Sequence, residues 1–381
     1  MGTQKVQIGI VGCGMATMVM YTPVLRYVEH GVVTALCDPD QTALDRVHRY
    51  FPGTRTYRNY DEFLRTANVD ALLLATPVNI HMEQVTQAAR AGKHVMCEKP
   101  MARTLAECDA MIGACEAAGV TLMIGFMKRF DKSMRHAKAL IDQGQLGTLY
   151  NVTADWRGQP PRSDRGELEA AALARSQVWR SKLDTWGGVY QDLGSHTTDL
   201  ARWWLGDIKT VSGEFSMLQA TSQVEDNAVA VYVHRSGARS VHLIGRSGKP
   251  SRETYQIDGS AATLEIDFGP ASHASTDPFR MTRFEQGGAR RVDETRYNQW
   301  ALDIEQAASA RYKREIDHFC ECVLEQKTPL TSAQDGRKAI EAINAVYLSA
   351  YLGEKIQLPL ELTPDLAHIF VEMKSRSLEI A

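Results

Sequence analysis

Two stretches of the chain carry side chains that could move a proton. In residues 95–100, VMCEKP, an apolar run ends in Glu98-Lys99-Pro100. In residues 187–199, GGVYQDLGSHTTD, Asp192 and His196 are four positions apart, so they share a face if the segment is helical. A carboxylate beside an imidazole can fix its tautomer and stabilise the imidazolium, which suits a general base near neutral pH. Alone, each stretch also fits a structural reading: a strand-ending surface lysine, and a capping aspartate beside a buried histidine.

A glycine-rich turn predicts a dinucleotide site. Residues 10–17, IVGCGMAT, carry Gly12 and Gly14, and the third small position of the G-x-G-x-x-G/A pattern falls on Thr17. Gly12 would allow the tight turn, and Gly14 would let a pyrophosphate approach the backbone at a helix N-terminus. Asp38 lies 24 residues beyond Gly14, where a carboxylate accepts hydrogen bonds from a ribose and repels a 2′-phosphate. No Arg or Lys directly follows Asp38, so the sequence favours NAD over NADP.

The elements around these residues predict a doubly wound parallel sheet. Apolar runs at residues 6–11, 32–37, 71–75, 93–97 and 121–125 alternate with helical patterns. Such continuous apolar strands suit a sheet buried on both faces, with right-handed crossovers. Ligands of these sheets bind beyond the carboxyl ends of the strands, where Lys99 falls. The sequence therefore predicts a Rossmann domain over residues 1–125.

From about residue 150 the pattern changes to that of a mainly antiparallel open sheet. Strands are predicted at residues 149–156, 209–218, 228–234, 240–245 and 253–257, several of them separated by Gly or Ser turns. Helices are predicted at residues 194–205, 311–326 and 333–351, and a loop at the polar, Gly-containing residues 269–299. The fold class is thus α/β, with a second α+β domain over residues 126–381.

Composition excludes several classes of function. The 381 residues carry 43 Lys+Arg against 46 Asp+Glu, a formal charge of −3, so neither nucleic acid nor an anionic membrane is implied as a partner. No apolar run approaches the length of a membrane span, and the polar N-terminus does not read as a signal peptide. Seven scattered cysteines suggest a reducing cytoplasm, and the pair Cys320 and Cys322 lacks the second pair that a zinc site needs, so no metal is expected.

The motifs together resemble a known family. In order they are the glycine turn, Thr76-Pro77 followed by His81, Glu98-Lys99-Pro100, residues 125–130 (GFMKRF), and the Gly-Gly segment that leads to Asp192 and His196. This arrangement resembles the Gfo/Idh/MocA family of NAD(P)-dependent sugar and cyclitol oxidoreductases, over nearly the whole chain. The combined motifs are specific for the family and poorly specific for the substrate.

The resemblance implies roles for individual residues. Lys99 matches the lysine that hydrogen-bonds the reacting hydroxyl and the nicotinamide ribose. His196 matches the general base, and Asp192 matches its partner beside the substrate. The residues predicted to bind the cofactor are Gly12, Cys13, Gly14, Met15, Ala16, Asp38, Thr76, Pro77, His81, Glu98 and Lys99. The second domain's sheet is an oligomer surface in relatives, so the resemblance implies a homodimer or homotetramer.

The substrate end of the site is predicted less specifically. Trp faces pack on sugar C–H groups, and Arg forks suit carboxylate, phosphate or sulfonate groups. Residues 155–186 contain such side chains but also acidic ones, so a solvated loop is the competing interpretation. For Tyr190, packing is as good an interpretation as substrate contact. Besides Lys99, Asp192 and His196, the predicted substrate-binding residues are Arg129, Trp156, Arg157, Trp179, Arg180 and Tyr190.

Three functional hypotheses follow. The leading one is an NAD-dependent dehydrogenase of a sugar, sugar derivative or cyclitol. The second is an NAD-dependent, redox-neutral glycosidase, which some relatives are: transient oxidation at sugar C3 permits elimination of the glycosidic bond. The third is a catalytically silent dinucleotide sensor, which would have no chemical need for Lys99, Asp192 and His196 together.

Overall fold

A computed structural model describes most of the chain. The residues described are 4–158, 181–183, 187–218, 222–246, 251–268, 280–285, 288–293, 310–360 and 364–380. They divide into two compact units. The first unit contains residues 4–130 and 310–337, and the second contains the other described residues. The C-terminal part of the chain thus contributes one segment to the first unit.

The first unit contains a six-stranded parallel sheet. Its strands are β1 (Val6–Val11), β2 (Gly31–Cys37), β3 (Arg55–Tyr57), β4 (Ala71–Leu74), β5 (His94–Cys97) and β6 (Leu122–Ile124). The order is β3-β2-β1-β4-β5-β6, so the direction of winding reverses between β1 and β4. This confirms the predicted doubly wound sheet and places its switch point beside the glycine turn.

Three helices of the first unit begin at side-chain caps. The helices of this unit are α1 (Thr22–Leu25), α2 (Gln41–His48), α3 (Tyr60–Thr66), α4 (His81–Arg90), α5 (Leu105–Ala118) and α8 (Ala310–Glu325), which follows two helices of the second unit in the chain. Asp40, Asn59 and Thr104 each accept a backbone N–H in the first turn of α2, α3 and α5, which satisfies one of the unpaired donors there. A π-helical turn, Thr17–Tyr21, precedes α1.

The second unit contains a nine-stranded sheet. Its strands are β7 (Leu149–Arg157), β8 (Ile208–Ser216), β9 (Asn227–His234), β10 (Arg239–Gly245), β11 (Arg252–Gly259), β12 (Thr263–Asp267), β13 (Arg280–Glu285), β14 (Gly288–Asp293) and β15 (Ile356–Gln357). The order is β14-β13-β12-β11-β7-β10-β9-β8-β15. Among the described pairs, β7 and β10 run parallel and the others antiparallel, as the prediction of a mainly antiparallel sheet requires.

Helices cover one face of this sheet. They are α6 (Lys132–Asp142), α7 (Ser195–Leu205), α9 (Ala333–Leu352) and α10 (Leu366–Ile380). Alternate strand residues point into two apolar clusters that include Met134 of α6, Leu200 of α7 and Val346 of α9. Period-two burial on the strands and an apolar stripe on each helix therefore build the core together.

The loop predicted over residues 269–299 is wrong for the part that the structure describes. Residues 280–285 and 288–293 form the hairpin strands β13 and β14, which extend the sheet beyond β12. Edge strands are held by backbone pairing and carry polar side chains toward water, so they lack the apolar alternation used for prediction. Arg283, for example, donates to the side-chain and backbone oxygens of Gln145 at 2.8 and 3.0 Å.

A helix that crosses a bilayer needs about 20 predominantly apolar residues. Within the described residues, no helix combines enough length with enough apolar character to cross one.

Candidate active site

The glycine turn joins β1 to the first helical turn. Gly12 has φ +92°, and a Cβ there would lie 2.5 Å from the carbonyl oxygen of Ala75, so glycine is required. Gly14 is exposed, and a Cβ there would meet no atom within 4 Å. The outer side of the turn is therefore open to a ligand, as a dinucleotide pyrophosphate requires, and half-buried Met15 and Ala16 follow it.

Thr17 occupies the third small position without blocking the turn. Its side chain is fully buried, and its hydroxyl donates to the Gly12 carbonyl at 2.6 Å. The Thr22 hydroxyl in turn donates to the Thr17 carbonyl at 2.8 Å. The departure from the glycine pattern is thus accommodated by hydrogen bonds within the first helical turns, away from the open side of Gly14.

The Asp38 carboxylate lies beside the turn at the end of β2. One oxygen accepts the Cys13 N–H at 2.7 Å, and the other accepts the Asp40 N–H at 2.8 Å. Each oxygen keeps acceptor capacity, because a carboxylate offers about four lone-pair sites. Sequence reasoning found no cation next to Asp38, but the Arg58 guanidinium donates twice to the Pro39 carbonyl, at 3.1 and 3.2 Å. A cation therefore lies one residue from the predicted ribose site.

His81 supports the backbone between the ends of β4 and β5. Its Nε2 lies 2.9 Å from the Thr76 carbonyl, and its Nδ1 lies 3.1 and 3.2 Å from the carbonyls of Pro100 and Met101. Burial lowers the pKa of His81 despite these three acceptors. Its ring is thus engaged with backbone next to the predicted catalytic lysine, whereas Pro77 is exposed at the end of β4. That Thr76, Pro77 and His81 line the cofactor cleft stays a prediction.

Lys99 follows β5 and is anchored through Glu98. The Glu98 carboxylate accepts the Lys99 backbone N–H at 3.0 Å and a short hydrogen bond from the Tyr21 hydroxyl. Glu315 of α8 is fully buried near this carboxylate. Burial and the charge of Glu98 hold the pKa of Glu315 well above its usual range. Tyr21 and Glu315 were missed because neither lies near the Glu-Lys-Pro triplet in sequence.

Arg129 is engaged inside the first unit. Its side chain is buried in a 3₁₀ turn, Met127–Phe130, and donates to the Leu330 carbonyl at 2.9 Å. The same guanidinium pairs with the Asp335 carboxylate at 3.3 Å. These contacts describe a buried structural ion pair, and substrate binding by Arg129 stays a prediction.

Asp192 and His196 lie on consecutive helical turns of the second unit. Asp192 belongs to a π-helical turn, Tyr190–Gly194, and His196 to the first turn of α7. The Asp192 carboxylate accepts from Arg246 at 3.2 Å, and both side chains are about 15% exposed. The His196 ring stacks on Trp156 of β7, with centroids 5.7 Å apart and 28° between planes. Different strands thus orient the predicted acid/base residues, and Arg246 is a site residue that sequence reasoning missed.

A buried carboxylate explains why Gly188, the second glycine of the pair before Asp192, has no side chain. Gly188 has φ +129°, and a Cβ there would lie 2.6 Å from both Glu225 carboxylate oxygens. Glu225 accepts from the Tyr190 N–H at 2.8 Å and from the Tyr347 hydroxyl at 2.7 Å. Burial raises the pKa of Glu225 to about 7, although both hydrogen bonds oppose this. The Tyr190 side chain is itself fully buried with its hydroxyl 2.7 Å from that of Tyr232, which favours packing over substrate contact.

Of the other predicted substrate residues, Trp156 lies against His196, whereas Arg157 does not share its side of the sheet. Trp156 and Arg157 are neighbours on a strand, so they face opposite sides of the sheet. Arg157 pairs with Asp155 through two bonds of 2.7 and 2.8 Å, which raise the pKa of its guanidinium. Trp179 and Arg180 lie outside the described residues.

The cysteines of the chain lie in the core. All seven cysteines are buried, unpaired thiols, and burial raises the pKa of each. Over the described ranges, no group of three or more His, Cys, Asp or Glu side chains is arranged to hold a metal ion.

Two family models match the chain. Residues 6–126 match the oxidoreductase family with an NAD-binding Rossmann fold, and residues 134–265 match the Gfo/Idh/MocA C-terminal domain. Among curated proteins, a D-apiose dehydrogenase of Paraburkholderia graminis is 27% identical and covers 92% of this chain and 88% of its own length. A myo-inositol 2-dehydrogenase of Thermotoga maritima is 26% identical and covers 88% of this chain and 93% of its own length.

Solved structures share the fold. The WlbA dehydrogenase of Bordetella pertussis, in complex with NADH and UDP-GlcNAcA, aligns with a TM-score of 0.75 at 26% identity. The alignment covers 94% of this chain and all of that one. The match extends over both units, so the two sheets belong to one known domain combination.

Proposed function

Because the chain belongs to the Gfo/Idh/MocA family of oxidoreductases, we propose that it is an NAD-dependent dehydrogenase acting on a secondary hydroxyl of a sugar, sugar derivative or cyclitol. The relatives named as apiose and myo-inositol dehydrogenases support this substrate class. The observation that carries the proposal is the fixed pair of supports at the predicted acid/base residues. Arg246 holds Asp192, and Trp156 holds His196, so both side chains have a defined orientation.

The proposed chemistry assigns one task to each residue. His196 accepts the hydroxyl proton as general base, while the Lys99 ammonium stabilises the negative charge that develops on the oxygen. Asp192, held beside Arg246, accepts hydrogen bonds from the substrate and keeps the polar end of the site ordered. NAD, when bound, supplies the acceptor for the hydride. The open side of Gly14 and the Asp38 carboxylate fit its pyrophosphate and ribose.

The experiment follows two products in the same wells. Purified protein and NAD⁺ are mixed with a panel of inositols, free sugars and aryl glycosides, and both NADH absorbance and released aglycone are recorded. The proposal is supported if a polyol gives NADH with the wild-type protein and His196→Ala no longer forms it. His368→Ala is the control, because that histidine is exposed. NAD⁺-dependent release of aglycone without NADH would support the redox-neutral glycosidase instead of the dehydrogenase, and NAD binding with neither product would support the sensor.

Preference for NAD is the second part of the proposal, and it rests on the Asp38 carboxylate. Asp38→Ser removes the charge that repels a 2′-phosphate but leaves Arg58 beside Pro39. We expect wild-type protein to bind NADH more tightly than NADPH, and the variant to bind NADPH more tightly than wild-type does. Arg58→Ala on the Asp38→Ser background should remove that gain. Equal NADH and NADPH affinities in the wild type, measured by fluorescence titration, would contradict the preference.

We further propose that copies of the chain associate through the open face of the nine-stranded sheet. Valine and leucine side chains pair across β9 and β10 on this face: Val231 with Val241, and Val229 with Leu243. Val229 is 41% exposed, which is unusual for a central strand. Val229→Glu should shift the mass measured by light scattering from dimer or tetramer toward monomer, whereas exposed Tyr50→Glu should not.

The seven buried thiols fit a reducing, cytoplasmic compartment.

A further inference from the structure

Two histidines and a serine form a buried hydrogen-bonded row under helix α7. His234 of β9 has its Nδ1 2.7 Å from the Gly206 carbonyl and its Nε2 3.1 Å from the Ser240 hydroxyl. The same hydroxyl lies 3.0 Å from Nε2 of His242 on β10. All three side chains are at most 1% exposed. The row therefore begins at Gly206, directly after α7, and runs through the core.

The row ends at the other terminus of the same helix. Nδ1 of His242 lies 2.8 Å from the Thr197 hydroxyl, and that oxygen lies 3.1 Å from the Gly194 carbonyl. Gly194 directly precedes α7, and Gly206 directly follows it. Thr197, His242, Ser240 and His234, called the His–Ser–His chain below, thus connect both ends of α7 to the sheet. Thr197 is the residue next to His196.

The number of hydrogens limits how many contacts of the His–Ser–His chain are hydrogen bonds. The His–Ser–His chain has five contacts, but two neutral imidazoles and two hydroxyls supply one hydrogen each, so one contact has none. Burial lowers the pKa of His234 to about 4 and that of His242 to about 3, so both rings are neutral at pH 7. The Gly206 carbonyl can only accept, and its contact is the shortest, so we assign the hydrogen of His234 to Nδ1.

The remaining hydrogens are assigned from the other end. The Gly194 carbonyl can also only accept, so the Thr197 hydroxyl donates to it, and Nδ1 of His242 donates to the Thr197 oxygen. Nε2 of His242 then accepts from the Ser240 hydroxyl, and the 3.1 Å contact between Ser240 and Nε2 of His234 is the one without a hydrogen. Both histidines therefore carry their hydrogen on Nδ1.

We propose that the His–Ser–His chain is a positioning device for His196, with His242 and Thr197 as the positioning residues nearest to it. It fixes the rotation of α7 against β9 and β10, and the Thr198 hydroxyl adds a second attachment, 3.0 Å from that of Tyr232. A small rotation of a helix displaces the side chains that it carries, so the chain keeps the His196 ring against Trp156. The inference rests on the proposed function for the role of His196 as base.

The first test needs no substrate. Protein labelled with ¹⁵N-histidine is examined by long-range ¹H–¹⁵N correlation spectra at pH 7, with assignment by His234→Gln and His242→Gln. The expected result is an Nδ1–H tautomer for both His234 and His242, and no titration of either ring between pH 6 and pH 8. An Nε2–H tautomer, rapid tautomer exchange or a protonated ring at pH 7 would overturn the assigned hydrogens.

The second test compares two substitutions at one position. Thr197→Val removes the hydroxyl with little change of volume, and Thr197→Ser keeps the hydroxyl. Loss of one buried hydrogen bond should lower kcat about 10-fold in the valine variant, with KM and NADH affinity changed less than about twofold. The serine variant should stay close to wild-type. Equal kcat in all three proteins, or equal losses in both variants, would refute the positioning role.

A third readout separates this inference from the proposed function. The spectra used above also follow the ring of His196, whose signals should move in Thr197→Val and not in Thr197→Ser. Unchanged His196 signals in a folded valine variant would refute positioning, whatever the reaction is. If these signals move but the wild-type protein forms no NADH, the positioning role of the His–Ser–His chain is supported and the proposed dehydrogenase activity is refuted. If the valine variant does not fold, Ser240→Ala breaks the same chain and replaces it in both tests.

Discussion

Glu225→Gln is expected to make the protein more stable at high pH and to leave its stability at pH 5 nearly unchanged. The Glu225 carboxylate is buried against Gly188, and it accepts from Tyr190 and from Tyr347. Burial raises the pKa of Glu225 from 4.5 to about 7 in the folded protein. Glutamine has nearly the same size and carries no charge at any pH, so it removes the titration while it retains an acceptor oxygen.

The sign and the size of the effect follow from linkage. A carboxyl whose folded pKa is raised contributes stability that is fully present below pH 4.5, declines as the pH rises, and is lost above about pH 7. Each pH unit in that interval costs about 1.4 kcal/mol, so the wild-type protein loses roughly 3 kcal/mol that the glutamine variant keeps. For a chain of this size the difference amounts to roughly 5 °C in Tm.

The assay is thermal unfolding of both proteins from pH 5 to pH 9 under identical salt. Other groups titrate equally in the two proteins, so the difference between their Tm values isolates Glu225. The difference should open between pH 5 and pH 7 and stay constant above pH 8. Tyr347→Phe removes a donor that stabilises the ionised carboxylate, so its own loss of stability should be centred at a higher pH. Parallel curves for wild-type and Glu225→Gln would refute the reasoning.

Three further predictions concern the turn, the ion pair and the thiols. Gly12→Ala should lower Tm, because its Cβ would lie 2.5 Å from a backbone oxygen. Gly14→Ala should leave the Tm of the cofactor-free protein within about 1 °C of the wild-type value, and it should weaken NADH binding, measured by fluorescence. Equal Tm losses would contradict this difference. Arg246→Gln leaves Asp192 without this cation and should lower kcat/KM about 10- to 100-fold in the NADH assay; an unchanged value would remove Arg246 from the site. The seven thiols should react with a disulfide reagent only after unfolding, so rapid reaction of native protein would contradict their burial.

Much of the fold could be predicted because its determinants are local. Except for β3, whose first two residues are exposed, the strands of the first sheet are short apolar runs, and all four residues of β4 are buried, so their pattern marks them directly. The strands at 280–285 and 288–293 could not be found this way, because β13 is held by pairing with β12, and β14 by pairing with β13, and not by their own apolar residues. The packing of α8 in the first unit was also unpredictable, since no local pattern encodes its contacts with Phe130 and Glu29, which lie 184 and 284 positions earlier.

For the site, sequence alone determined the residue types and the elements that carry them. The glycine spacing, Asp38 after β2 and Lys99 after β5 were readable because the carboxyl ends of parallel strands meet at one edge of a sheet. The tertiary structure alone decided what holds each residue in place: Arg246 beside Asp192, Trp156 against His196, and the His–Ser–His chain under α7. Those partners lie tens of residues away in the chain. They meet because strands packed against a helix bring distant side chains within hydrogen-bonding distance, and no short pattern in a sequence records that distance.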